Sequence, residues 1–157
     1  MDSDADGVPD WWMWLFFVHL AGQGSDYSCA TNTLPGSRMI NLEKYLADLN
    51  PTNPASVLEV TGVQWLPQGI KVDWQGGKWA KQYLESRQDL ANTNETWKPV
   101  FTNLPPTAIT TNVTINAGVT NKVNFYRIRV DRKFHTPSPV TPYFTAPTNI
   151  IRSKTGL

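Results

Sequence analysis

Between Val57 and Val130 apolar residues recur at every second position in short runs, with Gly, Pro or Asn clusters in most of the gaps. Successive side chains of a strand point to opposite faces, so this alternation marks strands buried on one side. It predicts strands at 57–65, 69–75, 79–87, 97–102, 108–115 and 123–130. Short strands punctuated by turn residues point to a mainly β chain folded as an antiparallel β-sandwich. Within the last run Val123, Phe125, Arg127 and Arg129 share one face. Asn124, Tyr126, Ile128 and Val130 share the other, which places Tyr126 on the buried side.

The flanks differ in character and divide the chain into a cap (1–56), the sandwich (57–130) and a Pro/Thr-rich extended tail (131–157). In the cap, Leu42, Tyr45 and Leu46 stand at helical spacing in residues 41–48. Asn41 is positioned to cap that helix, and Asn50-Pro51 with Asn53-Pro54 stops it. A Gly-, Ser-, Thr- and Asn-containing linker, Gly22 to Ser37, precedes it. Residues Trp11 to Leu20 are apolar all round rather than amphipathic, so burial on every side is expected. One face is expected between cap and sandwich. The opposite face would be an interface with a protein partner such as a second copy, built from Trp11, Trp12, Trp14, Phe16 and Phe17. The run is too short to span a bilayer, which needs about 20 residues, and it lacks the basic residues of a membrane-surface helix.

The most specific motif is Asp2-Ser-Asp-Ala-Asp-Gly-Val-Pro-Asp10. Calcium takes six to eight oxygens at about 2.3–2.6 Å, and alternate Asp residues bring carboxylates to one centre. Asp2, Asp4 and Asp6 are the expected ligands of Ca2+, with Gly7 making the turn and Val8 offering its carbonyl. Asp10 completes the set, directly or through water. Position twelve, where a bidentate carboxylate would stand, is Met13, so further oxygens are expected from Asp26, Asp48 or a linker carbonyl. Ligands so close in sequence fold around the ion, which gives it a structural role.

Asp2 to Trp12, Asn41-Leu-Glu-Lys-Tyr-Leu-Ala47 and Asn50-Pro-Thr-Asn-Pro54 together resemble bacterial thrombospondin type 3-like calcium repeats. Trp97 to Pro105 and Phe125 to Val130 are similar to strands of a fibronectin type III-like, immunoglobulin-like sandwich. The resemblance covers residues 2–130 and implies two Asp-rich loops, each followed by a helix, ahead of a seven-stranded sandwich. The second loop departs from it. Thr33, Pro35 and Ser37 replace its Asp residues, Arg38 its turn Gly and Lys44 its closing carboxylate. A cation at that position repels calcium, so the second site is expected to be dead and its helix kept for packing.

Other chemistries find little footing. With 14 basic and 13 acidic residues the net charge is +1, unlike the basic face that holds nucleic acid. There is no Gly-rich phosphate loop, Cys-His metal spacing or Ser-His-Asp order, and paired carboxylates occur only in the acidic loop. The chain therefore reads as a non-enzyme, with His19 a packed residue and His135 exposed. Cys29 is the single cysteine, expected as a small buried hydrophobe. A secreted domain without disulfides needs another staple, and a metal supplies one. The first ten residues carry four Asp and no base, unlike a signal peptide, so a mature or excised form is expected. Trp65, Trp74, Trp79 and Trp97 are expected mainly as core, with sugar stacking as the alternative. Asn94 and Asn112 head N-glycosylation patterns, and Thr136, Ser138 and Thr141 precede prolines as in O-glycosylated stalks.

The tail is too rich in Pro to build its own core, yet Phe134, Val140, Tyr143, Phe144, Ile150 and Ile151 are too apolar for a solvated one. It is expected to dock, supplying a final strand from 140–145 or 148–152 in cis or to a neighbour. Together these features lead to one expectation: an extracellular or cell-surface structural protein, stabilised by calcium and assembling into a filament or array. The alternative is a monomeric carbohydrate-binding or adhesive module of a larger bacterial surface protein.

Overall fold

The computed structural model describes residues 1–116 and 124–132. The expectations for Val123, for His135 and the glycan positions Thr136, Ser138 and Thr141, and for the docking residues of the tail lie outside them. The described chain is mainly β, with few helices: α1 (Asp10–Phe17), a 3-10 turn (Gly24–Asp26) and α2 (Asn41–Leu46). Six strands follow: β1 (Glu59–Leu66), β2 (Gly69–Gln75), β3 (Ala80–Arg87), β4 (Lys98–Asn103), β5 (Thr110–Ile115) and β6 (Phe125–Arg132). Each expected strand is present, its ends within two residues of those read from the alternation.

The strands form two antiparallel three-stranded sheets, in the orders β1-β2-β5 and β4-β3-β6. Partners across a ladder share a face, so register identifies the core rows. In the first sheet Ile70, Val72 and Trp74 of β2 point inward, opposite Trp65, Val63 and Val60 of β1 and Ile115, Val113 and Thr111 of β5. In the second, Gln82 and Leu84 of β3 stand opposite Val130 and Ile128 of β6, and Ser86 stands opposite Tyr126. Tyr126, Ile128 and Val130 are all buried, as their alternation requires.

Polar atoms inside this core are paired rather than absent. The buried Trp74 indole N–H donates to Gln82 Oε1 at 2.8 Å, and Gln82 Nε2 donates to the Gly77 carbonyl and Thr107 Oγ1. Phe101 meets the Trp74 ring edge-on, joining the two sheets. On the outer face of the second sheet Glu85 is 4 % exposed. It accepts hydrogen bonds from Arg127 and Arg129, while those guanidiniums lie over the rings of Trp97 and Tyr83.

The cap is continuous with this core. One buried cluster runs from Val8, Trp12 and Met13 through Tyr45, Leu46, Leu49 and Leu58 to Trp74 and Ile128. The sequence places α1 between cap and sheets; instead its Trp12 ring packs on Tyr45 of α2, and α2 is the helix that approaches β6. Gly77 shows how closely the parts meet. A Cβ there would lie 2.1 Å from the Ala47 carbonyl oxygen and 2.3 Å from that of Asp48. Only a residue without a side chain fits.

Two further readings change. Asn41 is the first residue of α2 and not its cap: its buried amide donates to the carbonyls of Tyr27 and Cys29. The helix start is satisfied by other groups. Glu43 accepts the Ile40 N–H, and the Asn41 and Leu42 N–H groups donate to the carbonyls of Asn32 and Ala30. Cys29 is half-buried and its thiol free, where the sequence points to a buried residue.

Candidate metal centre

The acidic loop closes because Ala5 and Gly7 adopt left-handed backbone, at φ 57° and 92°. Such a conformation suits Gly, as the turn reading requires. The curl gathers one oxygen each of Asp2, Asp4 and Asp6 within 4.8 Å of one another. Two ligands on opposite sides of a calcium ion at about 2.4 Å would be about 4.8 Å apart, so the spacing fits one coordination sphere.

The linker holds these carboxylates in place. Gly22 N–H donates to Asp4 Oδ2 at 2.9 Å, and Ala30 N–H donates to Asp6 Oδ2 at 3.3 Å. Within the loop, Gly7 N–H donates to Asp2 Oδ2 and Val8 N–H to Asp6 Oδ1, both at 2.9 Å. Asp2 Oδ1 is closed off from solvent and, among the described residues, has no hydrogen-bond partner. A buried carboxylate oxygen without a donor is costly.

Electrostatics follow position. The Gly22 N–H holds the Asp4 carboxyl below its ordinary value. Asp6 is pushed up, first by desolvation and further by the charges of Asp4 and Asp2, against the Val8 and Ala30 N–H groups. A cation at the centre would relieve that strain.

The remaining proposed ligands stand elsewhere. Both Asp10 oxygens accept from Ser3, through its hydroxyl and its N–H, which lowers the Asp10 pKa. Asp48 accepts the Trp79 N–H at 2.8 Å and so ties α2 to β3. Asp26 meets His19 Nε2 at 2.7 Å. Among the described residues the grouped acids are Asp2, Asp4 and Asp6 alone.

A Ser-His-Asp trio that the sequence order does not suggest also forms here. Ser28 Oγ lies 3.4 Å from the same His19 Nε2 that meets Asp26. A relay needs one ring nitrogen for the acid and the other for the hydroxyl. Here both face Nε2, and Ser28 is fully buried with its hydroxyl engaged by Gln23. Desolvation raises the Asp26 pKa, but hydrogen bonds from Ser28 and His19 outweigh it and hold the carboxyl down. The geometry makes a brace for the linker. His19 lies past the end of α1, which stops at Phe17 as Val18 turns left-handed.

At the second loop Lys44 is fully buried, and its ammonium donates to the carbonyls of Asn53 (2.8 Å) and Asn50 (3.4 Å). Desolvation lowers its pKa. A side-chain cation stands among carbonyl oxygens where the resemblance would put a closing carboxylate.

Trp12 is buried inside the chain, and Phe16 and Phe17 are partly so. Exposed positions Trp11, Trp14, Leu15 and Val18 recur at helical spacing and form an apolar stripe on the opposite face. Trp74 is core, whereas Trp65 (63 % exposed) and Trp79 (48 %) are not. They lie at opposite ends of β2 and so cannot form one stacking platform. Asn94, in the β3–β4 connection, and Asn112, on β5, are both exposed. No helix among the described residues is long and apolar enough to cross a membrane. No protein-family model, curated protein or solved structure matches the chain.

Proposed function

We propose that this chain is an extracellular structural module, stabilised by one calcium ion in the Asp2–Asp10 loop, that assembles with further copies of itself. The observation that carries the calcium reading is the meeting of Asp2, Asp4 and Asp6 with a solvent-excluded Asp2 oxygen that has no hydrogen-bond partner among the described residues. Three carboxylates repel one another in this arrangement unless a cation shares them. Waters and backbone carbonyls, that of Val8 included, supply the other oxygens. The ion's role is structural, since the loop is anchored to the linker and the linker to α2.

The sheet orders β1-β2-β5 and β4-β3-β6 support reading the six described strands as part of a fibronectin type III-like sandwich. Association is supported by the apolar stripe on α1, which a lone chain leaves in water. The module works without catalysis, and the separation of Trp65 from Trp79 favours assembly over sugar binding.

Calorimetric titration with calcium tests the metal reading. One ion per chain is expected, with binding abolished in Asp4→Asn and unchanged in Asp26→Asn. At 100 times its dissociation constant calcium adds about 2.7 kcal/mol, raising the melting temperature by roughly 8–10 °C. Equal melting with calcium and with chelator would reject it.

A further inference from the structure

Trp65 is out of place for its side of the sheet. It stands opposite Ile70 in the β1–β2 ladder, so both project to the inner face, yet Ile70 is 1 % exposed and Trp65 63 %. The same step occurs along the strand: Val72 and Trp74 are buried, while their β1 partners Val63 and Val60 are only partly so. The core stops short at β1.

The facing sheet explains why. Its edge on this side is β6, which pairs with β3 and, among the described residues, with nothing beyond it. Edge β6 approaches edge β1, so one more strand beside β6 would lie over Val60, Val63 and Trp65. Among the described residues, two deficits, backbone on β6 with no ladder partner on its outer side and uncovered apolar side chains on β1, thus share one position.

We infer that this groove is a receptor for one extended strand, and that its occupant is the segment Thr148–Leu157 of a second copy. This rests on the self-assembly reading above and names its joint. After Arg132 come Pro137, Pro139, Pro142 and Pro147, and Thr148–Leu157 is the one Pro-free run of ladder length that follows. Proline cannot donate to a ladder, which points to that run. Residues 133–147 separate it from β6, 15 residues. At the roughly 3.1 Å per residue of an extended Pro-rich chain, that many residues could span at most about 45 Å, against roughly 26 Å for the length of eight-residue β6. A hairpin back to the chain's own β6 needs only about 2–5 residues, so this spacer suits delivery to a neighbour.

Composition also sets the face. With Ile150 inward, Arg152 and Lys154 would be buried beside it; with Ile151 inward, the inner row is Asn149, Ile151, Ser153, Thr155 and Leu157. Burying unpaired cations is the costlier choice, so Ile151 covers the Trp65 region. Each copy then offers one groove and gives one strand, a head-to-tail joint that propagates as a fibre.

Cysteine pairing in the full-length chain tests this. In a Cys29→Ser background, chains carrying Trp65→Cys are mixed with chains carrying Ile151→Cys and mildly oxidised, with Val63→Cys as a second anchor. A disulfide-linked dimer is expected, at least tenfold more abundant than with Ile150→Cys. The Trp65→Cys/Ile151→Cys double variant should give a ladder of multimers on a non-reducing gel. A compact, internally linked monomer would overturn the inference, as would yields no higher than those of Ile150→Cys from both anchors. Running each arm with calcium and with chelator separates the two readings. A ladder in both, without calcium-dependent melting, removes the calcium reading alone. Calcium-dependent melting without a ladder removes the strand joint alone.

Discussion

Substituting Gly77 should separate the cap from the sheets. An alanine Cβ there would sit 2.1 Å from the Ala47 carbonyl oxygen and 2.3 Å from that of Asp48. Both are backbone atoms, so relief requires the end of α2 to move by about 1 Å. Overpacking of this kind costs about 1–3 kcal/mol. The shift would also strain the Asp48 carboxylate's bond to Trp79 N–H, worth a further 1–2 kcal/mol or so. Gly77→Ala should therefore lose about 2–5 kcal/mol, lowering the melting temperature by roughly 5–15 °C in a chain of this size. Gly24→Ala is the control: an added Cβ meets nothing within 4 Å, and a gain of about 0.5 kcal/mol is expected from the unfolded state. Urea unfolding followed by tryptophan fluorescence and near-ultraviolet circular dichroism measures both. Because one core joins cap and sheets, calcium should protect the sheets in the parent and protect them less in Gly77→Ala. A Gly77→Ala chain within about 1 kcal/mol of the parent would refute the close docking from which this is reasoned.

Further changes probe other parts. Val18 is exposed and β-branched at φ 63°, so Val18→Gly should gain about 0.5–1 kcal/mol after the entropy cost of glycine; a lower urea midpoint would count against strain there. Glu85→Ala leaves Arg127 and Arg129 without their shared carboxylate and should cost about 3–5 kcal/mol by denaturant titration, a loss under 1 kcal/mol contradicting the clamp. Asp6 titrates above its ordinary value, so without metal it favours the folded state at low pH and loses that contribution as pH rises through its folded pKa. Calcium needs the ionised form, so affinity should fall as pH drops through that raised value. Asp6→Asn should bind weakly with that pH step gone; an unchanged step would exclude Asp6 as its origin.

Much of the strand plan was legible because it depends on local alternation. Tyr126, Ile128 and Val130 had to share a face, and a single inward row is what the ladder with β3 uses. The acidic loop was legible for a similar reason, its three carboxylates being close in sequence and made to converge by a turn at Gly7. What escaped depends on distant partners. Nothing near Asn41 announces that its amide reaches back to Tyr27 and Cys29 in place of capping its own helix. A cation at position 44 is plain in the sequence, but its full burial depends on the Asn50–Asn53 turn folding over it. Nothing in the sequence order joins His19 to Asp26; the chain turns back at Val18, and the two meet across the linker. Glu85 sits on the outer face of its strand, and the two arginines that cover it come from 42 and 44 residues later, beyond the reach of local alternation. Alternation places Trp65 inward, but periodicity says nothing about whether a facing strand is there to cover it.

The most direct measurement is negative-stain electron microscopy of the full-length protein, first in calcium and then in excess chelator. Filaments that form in calcium and come apart in chelator are the expected result, and they should be absent in Asp4→Asn. Single compact particles in both conditions, at concentrations well into the micromolar range, would contradict self-assembly and leave a solitary adhesive module in its place.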